Sequence, residues 1–440
     1  MFKTVLPLSA ILALRFFGLF LVLPVLSAYA LGLEGATPFL LGVVVGGYAL
    51  TQAIFQVPFG TMSDKIGRKP TLLIGLVIFL VGSIICAVST DIYTLMAGRF
   101  LQGTGAIGAV IPAMISDLVN EEKRGHAMAL MGGAIAVSFA AAMGLGPVIA
   151  AQAGFSSLFW IAGVLSILSM VILFTKVPTP PRIRHIYHST TTTRDILSDN
   201  NLLNMIIING MQKGLMTVAF VLIPIFLTQP GYGFEWDKTE LWKVYVPALL
   251  AGLVAMGPAA VFGEKHNKPR EIFLLSIVLF IVSFTLMGFA HKDWEFILGV
   301  VSFFVAFNMM EPLVQSMISK FARVHQKGAA LGIANGFAYF MTFIGGAVAG
   351  LALQFGGREI FSVILIVIAT LWLLWTFKMS NPYRYSHLYL PIDHVDMEKL
   401  SGLEHEHVAE WYINETEHIV AVKYRKDMLD MEELKAKIVK

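Results

Sequence analysis

Twelve stretches of about 20 mainly apolar residues follow one another with almost no gap, and nothing else in the chain constrains its fold as strongly. A helix that crosses the hydrocarbon core needs that length, and it must satisfy every backbone polar group within itself. The stretches are 5–30, 37–59, 70–88, 92–116, 127–150, 155–175, 201–228, 244–262, 271–290, 294–318, 329–353 and 359–378, named here spans 1 to 12. Of 440 residues, 56% are apolar and 14% charged, where soluble domains carry roughly 25% charged residues. The charges are also unevenly placed: residues 381–440 hold 8 Lys/Arg and 12 Asp/Glu. A soluble enzyme, a disordered chain and a collagen-like fibre are excluded. The expected fold is an all-α polytopic membrane protein with 12 transmembrane helices in two six-helix halves, followed by a small α+β domain.

Span 1 has the look of a secretory leader, with Lys3 before it and Ala28-Tyr29-Ala30 at its end. Its apolar stretch exceeds the roughly 7–15 residues of a leader core, and Arg15 interrupts it, so it is expected to stay as a span. The single cysteine, Cys86, allows no disulfide within the chain. The alternate loops 60–70, 117–126, 176–200, 263–270 and 319–328 carry fifteen Lys/Arg in all, and the remaining loops carry four. The excess predicts that the basic set, both termini and the acidic tail lie in the cytoplasm. The longest connection, 176–200, contains Pro178, Pro180, Pro181 and a Ser-Thr run, which marks a linker. The expected organisation is 1–176 as the first half, 177–200 as linker, 201–379 as the second half and 381–440 as the tail domain.

Ionisable groups inside a span are costly and point to function. Arg15 in span 1, Arg99 in span 4, Lys213 in span 7 and Glu311 in span 10 are the four such residues. Their period of three spans argues for four three-helix units around a shared wet interior, an arrangement that transporters use. Lys213 and Glu311 are close enough in depth to pair. Glu311 can serve as a proton-carrying carboxylate, since burial raises its pKa and a neighbouring cation lowers it. Three cations against one anion favour an anionic or neutral cargo, or a site whose charge changes with Glu311 protonation. Arg15, Gln52, Gln56, Lys213 and Asn308 are the expected cavity residues, and Phe16, Phe17, Phe307, Met309 and Met310 could supply a directionless aromatic and thioether surface or face lipid.

Between spans 2 and 3 the chain reads Gly60-Thr-Met-Ser-Asp64-Lys65-Ile-Gly67-Arg68-Lys69-Pro70. Gly60 would let two helices touch, Gly67 would permit a tight turn, Pro70 would open the next helix, and Arg68 is free to pair with an acid. Residues 262–270 are a degenerate copy in the second half. Arg99-Phe-Leu-Gln102-Gly103-Thr-Gly105 lies in span 4. In span 5, Ala142-Met-Gly144-Leu-Gly146-Pro147 predicts a proline-kinked helix packed through small residues. These strings resemble the signature loop, span-4 motif and antiporter motif of the major facilitator superfamily, drug:proton antiporter type. Ala142, Ala150 and Ala151 depart from the antiporter pattern.

The resemblance implies the major facilitator fold in a bacterial inner membrane and proton-driven efflux by alternating access. It implies a proton-coupling role for Arg99 beside Glu311, and a cytoplasmic charge cluster of Asp64, Arg68 and Asp117 that locks the outward-facing state. A proton-coupled importer and a non-transporting sensor that signals through the tail are the alternatives. The partners expected are membrane lipid, a small-molecule cargo and protons, with no nucleic acid and no cofactor.

The tail reads as a strand near 386–391, a helix near 396–403, strands near 408–413 and 418–424, and a helix near 428–439. That order resembles a ferredoxin-like domain. His387, His394, His405, His407 and His418 lie here, but without Cys-x-x-Cys they are expected to be solvated rather than metal-bound. No Walker loop, HExxH or GxSxG is present, so enzyme activity is not expected.

Overall fold

The computed structural model describes residues 2–178, 193–231, 233–322, 327–355, 357–379, 385–402, 408–414, 418–425 and 428–439. Residues 179–192 of the linker, and His405 and His407, lie outside the described residues. Among them, eleven helices are long and apolar enough to cross a membrane. They follow the expected spans closely, from Thr4–Ala30 to Arg358–Thr376. Span 4 is the exception. It forms as two helices, Ile92–Thr104 and Val110–Leu118, with residues 105–109 between them. Gly103-Thr-Gly105 and Gly108 supply the weak helix formers at that point.

Span 1 is also jointed, as Phe2–Phe20 and Leu23–Ala30, with Pro24 at the start of the second piece. Proline removes the bond to the carbonyl four residues earlier and crowds it. The displaced turn brings the Leu21 carbonyl against span 5 at Gly146, where a Cβ would stand 2.2 Å from that oxygen. Gly146 therefore acts as the expected packing glycine. Pro147 sits inside the continuous helix Glu121–Ala153.

The helix neighbours repeat between the halves: 1 with 5, 2 with 4, 3 with 4 and 3 with 6 are matched by 7 with 11, 8 with 10, 9 with 10 and 9 with 12. The halves themselves meet through spans 2 and 11, spans 5 and 8, and spans 1 and 7. These contacts gather at the end away from the basic loops. A Cβ on Gly42 would be 2.0 Å from the Gly346 carbonyl oxygen, and one on Gly350 2.4 Å from that of Pro38. Ser27 donates to the Phe220 carbonyl at 3.1 Å, joining spans 1 and 7 at that end. Toward the basic loops, Gly132 in span 5 and Gly332 and Gly336 in span 11 have nothing within 4 Å of a Cβ position. The bundle is closed at the far end and splayed at the basic end.

Gly60 departs from expectation for this reason. It lies in the basic-end half of span 2, and no atom is within 4 Å of its Cβ position, so it brings no two helices together here. Gly103 does: its Cβ would fall 1.9 Å from the Tyr48 carbonyl oxygen of span 2. Gly67 has φ of +102°, as a tight turn requires. Its counterpart in the second half is Asn267 at φ +57°, a residue that tolerates the left-handed region. Pro70 is the third residue of the helix Arg68–Ala87 rather than its first.

The tail contains β1 (Tyr385–Pro391), β2 (Val408–Asn414) and β3 (Ile419–Arg425) in one antiparallel sheet of order β1-β3-β2, with helices Met397–Gly402 and Met431–Ile438. Val420, Val422 and Tyr424 of the central strand pack in the tail's own core. Lys423 points to the opposite face, as alternation along a strand demands. There its Nζ donates to the carbonyls of Lys320 and Ala322 at 3.2 and 3.3 Å, at the end of span 10. A cation at that place satisfies carbonyls the helix end leaves unpaired.

The two classes of glycine differ measurably. Gly103→Ala is expected to lower stability by about 1–3 kcal/mol through overpacking. Gly132→Ala is expected to be neutral or to stabilise by up to about 1 kcal/mol from helix propensity. Thermal unfolding of the two purified variants checks the contrast.

Candidate functional site

The four charges inside the spans divide into one paired set and two separate networks. Span 7 presents Lys213 and span 10 presents Glu311. Lys213 Nζ lies 2.8 and 2.7 Å from the two Glu311 oxygens. Gln212 Nε2 donates at 3.0 Å to Glu311 Oε2 and also at 3.0 Å to the Phe307 carbonyl. Lys213 further rests over the Phe307 ring, 4.9 Å from its centre. The side chains of the pair are 24% and 35% exposed, so solvent reaches it. With span 10 ending at Phe321, Glu311 stands about 15 Å from the basic end by helical rise. Pro312 follows it and cannot donate to the Asn308 carbonyl.

Arg99 is fully buried in the first half. Its Nη1 donates to Gln102 Oε1 at 2.8 Å, its Nε to the Val44 carbonyl at 3.5 Å, and its guanidinium lies 4.7 Å from the Tyr48 ring centre. Gln102 donates onward to Ser83 Oγ at 2.9 Å. This network ties spans 2, 3 and 4 and shares no partner with Glu311 among the described residues.

Arg15 is fully buried as well. It reaches Gln52 Oε1 at 3.5 Å and lies against the rings of Phe16 and Phe79. Gln56 is partly exposed nearby. Asn308, expected beside the cavity, donates to the Phe304 carbonyl of its own helix at 2.8 Å and packs on Gly252 of span 8. It belongs to the inside of the second half. Phe16, Phe307, Met309 and Met310 are buried, so lipid-facing filler does not describe them.

At the basic end, Arg68 Nη1 pairs with Asp64 at 2.6 Å and its Nε with Asp117 at 2.8 Å. The predicted cluster is thus assembled, with Ser63 Oγ as a further acceptor at 2.6 Å. All three members belong to spans 2 to 4. The second half has a partner arrangement that sequence reasoning missed, in which Glu264 at the end of span 8 pairs with Lys320 and accepts from Ser316 of span 10. Glu264 stands in the degenerate repeat as Asp64 stands in the first copy, and that correspondence was the available signal. Among the described residues no cluster of His, Cys, Asp and Glu could hold a metal ion.

A family model for the Major Facilitator Superfamily matches residues 8–263 and 244–411. The chain belongs to this superfamily. It is 34% identical over 429 residues to the inner membrane transport protein YajR of Escherichia coli (strain K12), spanning 94% of this chain and 92% of that protein. It is 27% identical over 354 residues to the quinolone resistance protein NorA of Staphylococcus aureus (strain MSSA476), spanning 77% of this chain and 86% of that protein. The fold superposes on the D-xylose-proton symporter with a TM-score of 0.68 at 16% identity, over 86% of this chain and 98% of that one. The family is one of transporters and not of enzymes.

Removing one member of the Lys213–Glu311 pair strands the other charge, whereas removing both does not. Lys213→Met and Glu311→Met are each expected to destabilise more than the double variant. Because both groups are partly exposed, the coupling should be only about 1 kcal/mol. A double-mutant cycle on thermal stability measures it.

Proposed function

We propose that this chain is a proton-coupled efflux transporter of the drug:proton antiport type, working by alternating access in a bacterial inner membrane. The observation that carries the reading is Glu311, a carboxylate held by Lys213 and Gln212 deep in a bundle that is closed at one end and splayed at the other. The excess of Lys/Arg in the loops at the splayed end supports a cytoplasmic position for that end and both termini, and on this reading the arrangement is inward-facing. The organisation is 1–176 and 201–379 as rocking halves, 177–200 as linker and 381–440 as a cytosolic ferredoxin-like domain.

In the outward-facing state a proton from the periplasm neutralises Glu311 and frees Lys213. After the halves rock, the proton leaves to the cytoplasm and the ionised carboxylate is reclaimed by Lys213 and Gln212. That last arrangement matches the geometry described above. Arg99 serves this cycle as the group that holds spans 2, 3 and 4 together around the break in span 4. Asp64, Arg68 and Asp117 brace the first half and Glu264 with Lys320 the second. Among the described residues the ion pairs of each cluster lie within one half.

The sensor alternative has one foothold, the Lys423 contact at the end of the helix that carries Glu311. Proteoliposomes with an imposed pH gradient separate the readings. Cargo-induced proton movement is expected in the wild type and lost in Glu311→Gln with cargo binding retained. Coupling that survives the substitution removes Glu311 from the mechanism, and binding without proton movement in the wild type favours the sensor.

A further inference from the structure

The break in span 4 and the buried Arg15 meet at one place. Between Thr104 and Val110 the backbone closes two three-residue turns, Ala106 N–H to the Thr104 carbonyl at 2.8 Å and Ile107 N–H to that of Gly105 at 2.9 Å. Such irregular backbone survives at membrane depth only where protein covers it or it lines a wet cavity. The nine-residue helix Val110–Leu118 starts there, its first N–H groups already bonded to the Ile107 and Ala109 carbonyls. A methyl built on Gly108 would stand 3.6 Å from Gln56 Oε1 and 3.7 Å from Gln52 Nε2.

Four polar atoms in this neighbourhood are buried without a hydrogen-bond partner: Arg15 Nε and Nη1, Gln52 Nε2 and Gln56 Oε1. Among the described residues no carboxylate pairs with Arg15. A buried guanidinium without a counter-charge is expensive. The Phe16 and Phe79 rings, 5.6 and 5.4 Å away, offset part of that cost. They leave the planar fork, which matches a carboxylate in bidentate fashion, without one. One guanidinium suits a single negative charge.

An aromatic row leads away from this place and into the second half. Phe16 stacks on Phe20 at 5.3 Å, Phe20 meets Phe139 edge-on at 5.0 Å, and Phe139 lies 5.8 Å from Phe307. Phe307 is the ring under Lys213. We propose that Arg15, Gln52, Gln56 and the break at Gly108 form an anion subsite that takes the carboxylate of a lipophilic aromatic cargo, whose ring system lies along this row. The subsite rests on the carrier reading in treating the region between the halves as the cargo route, and it adds the class of cargo.

The test uses the full-length protein in lipid nanodiscs and three probes on one skeleton: 2-naphthoate, 2-naphthalenemethanol and 2-naphthylmethylammonium. The wild type is expected to bind the acid at least about tenfold more tightly than the alcohol or the amine. Arg15→Gln should lose that preference while still binding the alcohol, and Arg15→Lys should restore part of it. Absence of saturable naphthoate binding, equal affinity for acid and amine, or an acid preference that survives Arg15→Gln overturns the subsite. Should Arg15→Gln fail to give a monodisperse protein, Gly108→Leu decides, since a side chain intruding between Gln52 and Gln56 should abolish the preference and its survival overturns the proposal. Proton movement in proteoliposomes keeps the two readings apart. Arg15-dependent naphthoate binding without any cargo-driven proton movement supports the subsite and counts against the carrier. Proton movement driven by the amine, with the acid unbound, does the reverse.

Discussion

The two halves are joined where backbone meets backbone with no side chain between. Gly42 and Gly46 of span 2 face Gly346 and Gly350 of span 11, and Gly214 of span 7 faces Gly345. Lipid offers helices little hydrophobic reason to associate, so close van der Waals approach through small residues supplies much of the adhesion. A side chain at Gly42, Gly345, Gly346 or Gly350 would collide with a carbonyl of the opposite helix, and one at Gly46 or Gly214 would be tightly crowded. Closure at the far end therefore depends on these glycines, and the gap at the basic end is its geometric consequence.

Within each half, charges do the bracing. Arg68 joins spans 2, 3 and 4 in the first half, and Glu264 joins spans 8 and 10 in the second. Deeper in, Arg99 is satisfied largely by its own half. Lys213 and Glu311 satisfy each other, and Arg15 lacks a counter-charge among the described residues. The bundle thus neutralises one deep cation with a carboxylate and leaves another without one among the described residues. Lys423 brings the tail sheet onto the last turn of span 10, three turns below Glu311 by about 3.6 residues per turn, so the tail touches the helix on which the titratable group rides.

Much of this was legible in the amino-acid order because membrane helices obey a harsh rule. The span boundaries, the period-three charges and the Lys213–Glu311 pair follow from the cost of polar groups in lipid, whereas the Asp64–Arg68–Asp117 cluster was expected from the family resemblance. The tail elements followed from alternation and turn residues, and each falls within a few residues of its expected place. What was not legible depends on partners rather than on composition. The break in span 4 lies in uninterrupted apolar text, since glycine and alanine there serve a helix or a turn equally well by hydropathy. Gly60 occupies the motif position for close packing, yet whether it packs depends on which end of the bundle is closed. Asn308 has the polarity of a cavity residue, but the Phe304 carbonyl one turn back on its own helix claimed its side chain. The spacings Gly42-x-x-x-Gly46 and Gly346-x-x-x-Gly350 were a readable signal for the seam, and only the structure pairs one with the other.

The central claim is that the two ends of the bundle open in opposition, governed by the charge on Glu311. Cys86 is buried, which leaves introduced cysteines to take spin labels. Two pairs across the halves report on the ends: Lys65 with Lys265 at the basic end, and Glu34 with Thr239 at the far end. Pulsed electron–electron distance measurements on the reconstituted protein, with Glu311 native or as Glu311→Gln to mimic its protonated form, test the claim directly. Neutralising Glu311 is expected to populate a state in which the far pair lengthens as the basic pair shortens. Distances that move together, or that ignore the substitution, would contradict it.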